Sequence, residues 1–169
     1  HGVIEMKEAS SEKIQEKPVT TRIRQFLAEY GKLLREIDTL YERRERLCRT
    51  YSITTEMNGM PHGKGTVNSV PARITEMKAS IENRLKVTEE KERRARALVE
   101  MWMEDITDPD ERAVLCLRYF DRLDWQDICS IVFDSTSEAD LRRMYRLHGS
   151  GLLHLAKREQ LSVNVSKCQ

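Results

Sequence analysis

Two stretches of the sequence place mainly apolar residues at steps of three and four positions, the spacing of one face of an α-helix, although Lys91 and Glu92 interrupt the second stretch. The first stretch, in residues 20–47, consists of Ile23, Phe26, Tyr30, Leu33, Ile37, Leu40, Arg44 and Leu47. The second, in residues 71–102, consists of Ile74, Met77, Ile81, Leu85, Thr88, Ala95, Leu98 and Trp102. Because 34% of all residues are charged and only 6% are aromatic, the pattern favours long, coiled-coil-like helices that bury narrow stripes against each other.

A glycine-rich run separates the two repeats. The residues Asn58-Gly59-Met60-Pro61-His62-Gly63-Lys64-Gly65 end the periodicity and predict a loop over residues 52–69. One loop between two long helices indicates an antiparallel helical hairpin over residues 20–106. Lys64 does not make this loop a nucleotide site, because a P-loop needs four residues between its glycines and a Lys followed directly by Ser or Thr. We therefore expect neither a nucleotide nor another cofactor.

The last third of the chain predicts three shorter helices, because polar residues stand where helix N-caps belong. The expected N-caps are Asp108, Asp124 and either Ser135 or Ser137. Pro109 in the first turn and Glu111 at the capping-box position strengthen the first of these starts.

Apolar residues recur on one face of the second and third of these helices. They are Trp125, Ile128, Cys129 and Val132 in the second helix, and Leu141, Tyr145, His148, Leu152 and Leu155 in the third. The second stripe runs through Gly149 and Gly151, so we expect the third helix to be continuous. Three helices with a short middle member and a turn before the last outline a helix-turn-helix domain over residues 107–160. The expected fold is thus all-α.

Charge is distributed unevenly in this domain. Residues 104–140 contain three arginines against eleven acids, whereas residues 141–169 contain six Lys or Arg against one Glu. A basic surface concentrated on one helix is typical of nucleic-acid binding, because phosphates attract it regardless of the net charge of the chain. The alternative interpretation of the same residues is a solvated basic strip on an ordinary helical domain.

The candidate DNA contacts lie on the third helix, and most of them share a face at steps of three and four. They are Arg142, Arg143, Arg146, Ser150, His154 and Lys157. Arg143 and Arg146 are expected to contact bases, since Arg binds guanine at two atoms. Lys157 lies further along the helix and is expected to contact phosphate alone.

Several short motifs resemble one known family when taken in their order along the chain. Residues 108–122, Trp125-Gln126-Asp127-Ile128 and Tyr145-Arg146-Leu147-His148-Gly149 resemble the fourth region of bacterial sigma factors, as found in phage and prophage regulators of the ArpU/RinA type. Leu33-Leu34-Arg35-Glu36-Ile37-Asp38 and Gly59-Met60-Pro61-His62-Gly63 resemble the same family. The resemblance implies a transcriptional regulator of late genes that binds double-stranded DNA, and a sigma-like module that also contacts RNA polymerase.

Two other functional classes remain open. A small-terminase-like component of DNA packaging also joins a helix-turn-helix to oligomerising helices, and a helical adaptor would bind a partner protein without DNA. An enzyme is not expected, because the histidines lack metal-ligand spacing and no nucleophile has a sequence signature around it. We therefore assign no catalytic, metal or cofactor-binding residue.

The remaining expectations concern surroundings and assembly. The four cysteines form no C-x-x-C pair, and no apolar run reaches the roughly 20 residues of a membrane span, so a bacterial cytoplasm without membrane contact is expected. Residues 1–19 and 161–169 are predicted to be a flexible leader and tail. The two stripes look wider than one intramolecular partner would cover, which favours a homo-oligomer, a dimer or more.

Overall fold

A computed structural model describes residues 19–57 and 70–167, and all regular structure in these residues is helical. The helices are α1 (Thr21–Met57), α2 (Val70–Met103), α3 (Pro109–Tyr119), α4 (Trp125–Phe133) and α5 (Glu138–Lys167). The predicted all-α class is therefore confirmed. The predicted leader up to residue 18, the glycine-rich run with Lys64, and residues 168–169 lie outside the described residues.

Helices α1 and α2 lie antiparallel, because early residues of one contact late residues of the other. The rings of Phe26 and Trp102 meet edge-on with centroids 5.0 Å apart. Towards the other end, the guanidinium of Arg84 pairs with Glu36 at 2.7 Å, and Leu40 packs in a small core with Ile81 and Leu85. Burial along this seam stabilises both helices, since most helical stability in proteins comes from tertiary packing.

The buried row of α2 differs from the predicted stripe at two positions. Met77 and Leu98 are 49% and 41% exposed, whereas Val99 is fully buried. Glu92, which interrupts the apolar pattern, lies at the seam and accepts a hydrogen bond of 2.6 Å from the hydroxyl of Tyr30. The partner hydroxyl satisfies the carboxylate, so the seam tolerates a polar residue there.

Two helices run further than the sequence predicts. Helix α1 continues to Met57, past the expected loop start at residue 52, and α5 continues to Lys167, past the expected domain end at residue 160. The predicted loop over residues 52–57 is therefore wrong, and residues 161–167 of the predicted tail continue α5. Neither segment contains the Gly or Pro that stops a helix, and Val163 in the second is half-buried.

Four helices meet in one core at the base of the antiparallel pair. The core is formed by Ile23, Leu27, Val99, Trp102, Met103, Ile106, Leu115, Leu152, Leu155 and Ala156. A second core, between α3, α4 and α5, contains Val114, Ile128, Cys129 and Met144. Helix α5 is therefore anchored by its middle and C-terminal half in the first core and by Met144 in the second.

Helix α5 passes through both of its glycines without a break, as expected. A Cβ atom at Gly151 would lie 2.8 Å from Cδ1 of Leu115, whereas one at Gly149 would meet nothing within 4 Å. Gly151 is therefore the residue that lets α5 approach α3 closely.

Candidate nucleic-acid interface

The start of α5 is fixed by a short connection from α4. Helix α4 is capped at its C-terminus by Asp134, whose φ of 51° places it in the left-handed conformation that Asp tolerates better than most residues. The Oγ of Ser137 then accepts a hydrogen bond of 3.2 Å from the backbone N–H of Asp140. Ser137 is therefore the N-cap of α5, one of the two serines expected for that role, and only residues 134–137 connect the two helices.

Three arginines occupy the first turns of α5, and all three are exposed. Arg142 pairs with Glu138 one turn earlier at 2.8 Å. The guanidinium of Arg143 lies 4.6 Å from the ring centroid of Phe133 at the end of α4. Arg146 makes no hydrogen bond or ion pair with any described residue. We call Arg142, Arg143 and Arg146 the arginine edge of α5.

Two of the other predicted DNA contacts, Ser150 and His154, are engaged by a residue of α3. Ser150 donates a hydrogen bond of 3.3 Å to Oε2 of Glu111, and Nδ1 of His154 contacts Oε1 of the same carboxylate. Both residues are thus held against α3, although they share the predicted helical face. Lys157 is exposed further along α5.

Glu111 corrects the expectation of a capping box at the start of α3. Asp108 is the N-cap, as predicted, and its side chain accepts from the backbone N–H of Asp110 at 2.9 Å. The Glu111 side chain does not reach back to that cap. It is 5% exposed and lies under α5, where its carboxylate contacts the side chains of Ser150 and His154. A buried carboxylate needs such partners, because an unpaired buried charge is strongly destabilising.

An aromatic cluster stands beside the arginine edge. The ring of Tyr145, 48% exposed, meets Trp125 edge-on with centroids 5.3 Å apart. Trp125 in turn contacts the ring of His148 at 4.8 Å, and the guanidinium of Arg118 lies over Trp125 at 4.2 Å. Trp125 and Leu141 both pack against the second core, so Trp125 helps to hold α4 against α5. Its ring also restrains the ring of Tyr145.

His148 is buried behind this cluster. Burial, reinforced by the positive charges of Arg24 and Arg118, lowers the pKa of His148 from 6.5 to about 4. Burial also raises the pKa of the Tyr119 hydroxyl, which lies 2.8 Å from Nε2 of His148. The hydroxyl of Tyr119 therefore stays protonated near neutral pH, and it can donate a hydrogen bond to Nε2 of the uncharged imidazole.

Sequence reasoning missed the position of Tyr145, which it assigned to the buried stripe. Tyr145 lies at i+3 from Arg142 and next to Arg146, and it borders the same surface recess as both arginines and Ala139. The i, i+3 spacing carries this signal, because residues three apart on a helix are neighbours on its surface. Met144 takes the fully buried position instead.

The rest of the described chain adds no obvious chemical site. No group of three or more His, Cys, Asp or Glu residues could hold a metal ion in the part of the chain that the structure describes. A cleft of about 490 Å³ between α2 and α3 is lined by residues of both charges, among them Arg96, Glu100 and Arg112. Of the helices described, none combines the length and apolar character needed to cross a membrane.

Comparison of the chain with family models, with curated proteins and with solved structures finds no match.

Proposed function

We propose that the chain is a sequence-specific, DNA-binding transcriptional regulator. In this proposal α3, α4 and α5 form a helix-turn-helix domain, and α1 and α2 form the helical hairpin that carries it. The observation that carries the proposal is the arginine edge, exposed in the first turns of a helix that follows a short helix and a four-residue connection. The first turns of a recognition helix enter the major groove, where Arg can bind guanine O6 and N7 together.

The resemblance to region four of sigma factors supports the same function. It rests on the motifs at residues 125–128 and 145–149, which lie at the start of α4 and in α5. We infer from it a phage or prophage regulator of the ArpU/RinA type, acting in the bacterial cytoplasm as a late-gene activator. A contact with RNA polymerase is the further partner that this resemblance implies.

Selection of bound duplexes from a random pool, followed by titration across a salt series, tests the proposal. Arg146→Ala should weaken binding by about 1–3 kcal/mol and relax sequence preference, because the guanidinium has no other described partner and is free for a base edge. Lys157→Ala is the matched control. It should weaken all sequences alike and lower the salt slope by about one unit, as expected for a phosphate contact.

Circular dichroism should show that each variant keeps its helices. If the double variant Arg143→Ala, Arg146→Ala binds with unchanged affinity and sequence preference, α5 does not read DNA. The helical adaptor would then become the leading hypothesis. Ser150→Ala and His154→Ala should act mainly through Glu111, since both side chains contact that carboxylate.

We expect the chain to self-associate through the outer face of α2. Val87 and Leu98 are 51% and 41% exposed, and their separation of eleven residues, about three helical turns, places them on one face. Light scattering at tens of micromolar should therefore show a dimer, and Val87→Glu with Leu98→Glu should give a monomer. A monomeric wild-type chain would contradict this expectation, while a closed ring of many subunits would favour a packaging component.

A further inference from the structure

A shallow recess of about 490 Å³ lies on the surface of α5 between two members of the arginine edge. It is lined by Ala139, Arg142, Tyr145 and Arg146. A methyl group, an aromatic ring and two arginine side chains thus border one recess on an exposed surface. We call this feature the Tyr145 recess.

The wall of the recess is held in place before any ligand arrives. Tyr145 is fixed by its edge contact with Trp125, and Trp125 by its contact with the buried ring of His148. A side chain that is already ordered loses little conformational entropy on binding. The tyrosine ring in the recess is therefore ordered by its neighbours before a ligand binds.

The chemistry of the recess differs from that of a phosphate site. A phosphate takes hydrogen-bond donors, and an apolar floor between two arginines adds nothing to that contact. In the major groove the apolar group that a base presents is the 5-methyl of thymine, and Ala and aromatic side chains are suited to it. The two arginines that border the recess suit the O6 and N7 acceptors of a neighbouring guanine.

We propose that the Tyr145 recess binds the 5-methyl group of a pyrimidine that neighbours a guanine in duplex DNA. The inference rests on the proposed DNA-binding function and specifies what the domain reads. Arg146 is free to take the guanine, and Arg142 is restrained only by an exposed ion pair to Glu138, a kind of pair that contributes little stability. The methyl belongs to thymine or to 5-methylcytosine, which present the same group at the same position.

Single-atom changes in the DNA test this inference with the full chain. The probe is a duplex selected from a random pool, in which each thymine is replaced in turn by deoxyuridine, a change that removes only the methyl group. At the position that occupies the recess, fluorescence anisotropy should show affinity reduced about fourfold, which corresponds to about 0.8 kcal/mol. Placing cytosine and then 5-methylcytosine there, paired with guanine, shows whether the methyl alone restores affinity.

Two variants assign the effect to the recess. Tyr145→Ser should remove the difference between thymine and deoxyuridine. Leu153→Ser is the matched control, because Leu153 lies on the same helix and is also 48% exposed, but it does not line the recess. This variant should keep the full difference, and circular dichroism should show unchanged helix content in both.

The outcomes separate the inference from the function on which it rests. Sequence-specific binding that ignores every deoxyuridine substitution, or a methyl effect that survives Tyr145→Ser, overturns the Tyr145 recess and leaves the DNA-binding proposal standing. Failure to select any preferred duplex overturns the DNA-binding proposal, and the recess with it.

Discussion

Replacing Leu115 by alanine should lower the free energy of unfolding by about 2–5 kcal/mol, the usual cost of such a truncation in a packed core. Leu115 is fully buried in the core that joins α1, α2, α3 and α5. The cavity would therefore open where the antiparallel pair meets the C-terminal helices. Urea denaturation followed by circular dichroism measures the loss.

The same leucine should determine the effect of a methyl group at Gly151. In the wild-type chain Gly151→Ala should destabilise by about 1–3 kcal/mol, because the new Cβ would lie 2.8 Å from Cδ1 and 3.0 Å from Cγ of Leu115, a fully buried side chain. In the Leu115→Ala background those atoms are gone. Gly151→Ala should then stabilise by up to about 1 kcal/mol, the difference in helix propensity between Ala and Gly.

Gly149→Ala is the control for this pair, since a Cβ there meets nothing within 4 Å. It should stabilise by up to about 1 kcal/mol in both backgrounds through helix propensity alone. If Gly151→Ala stabilises the wild-type chain as much as Gly149→Ala does, then α3 and α5 are not in close contact at this point. The sign of the change, and not only its size, therefore decides the result.

The packing of α5 separates variants that affect folding from variants that affect binding. Its middle and C-terminal half carry the fully buried Leu152 and Leu155, whereas Arg142 and Arg146 lie exposed in its first turns. Changes at the arginine edge should leave stability nearly unchanged, because surface substitutions away from caps and networks usually do. A loss of DNA affinity at these positions would then report on contact with DNA.

Local chemistry made the helix starts predictable from the sequence. Asp108, Asp124 and Ser137 each accept a hydrogen bond from a backbone N–H in the first turn that follows. An N-cap needs only its own side chain and the next few residues, so the pattern is visible without knowledge of the fold. The continuity of α5 through Gly149 and Gly151 was predictable for a similar reason, since the apolar stripe runs across both.

Features that depend on contacts between helices were not predictable in the same way. Glu111 has the spacing of a capping box, but the approach of α5 gives it Ser150 and His154 as partners instead. Likewise the choice between Leu98 and Val99 at the seam depends on how α2 is rotated against its neighbours. Both residues are apolar, so composition alone could not distinguish them.

Helix ends were missed where nothing in the sequence stops a helix. Residues 52–57 and 161–167 contain neither Gly nor Pro, and the helices continue through them. The apolar stripes identified in the sequence end earlier, at Leu47 and Leu155. A helix that is already nucleated extends at little cost, because each added residue contributes one more hydrogen bond.

Acidification from pH 6.5 to pH 5 should destabilise the protein through His148. The folded chain holds the pKa of His148 at about 4, against 6.5 as the ordinary value, so the unfolded chain binds a proton that the folded chain does not. Stability is therefore complete above pH 6.5 and falls as the pH drops towards 4. The slope should approach about 1.4 kcal/mol per pH unit, which gives a loss of about 1.6 kcal/mol between pH 6.5 and 5 and at most about 3.4 kcal/mol in total.

His148→Gln isolates this contribution, because its amide can still accept a hydrogen bond from Tyr119 but takes up no proton in this range. Its stability at pH 7 is expected to be lower than that of the wild type, since the ring contacts with Trp125 and Tyr119 are lost. The comparison therefore concerns the change between pH 6.5 and 5, measured by urea denaturation above the range where most carboxylates titrate. The free energy of unfolding of the variant should change less with pH than that of the wild type over that range. An equally steep decline in both would show that another group is responsible, and that the imidazole behind the Tyr145 recess is not held uncharged by its burial.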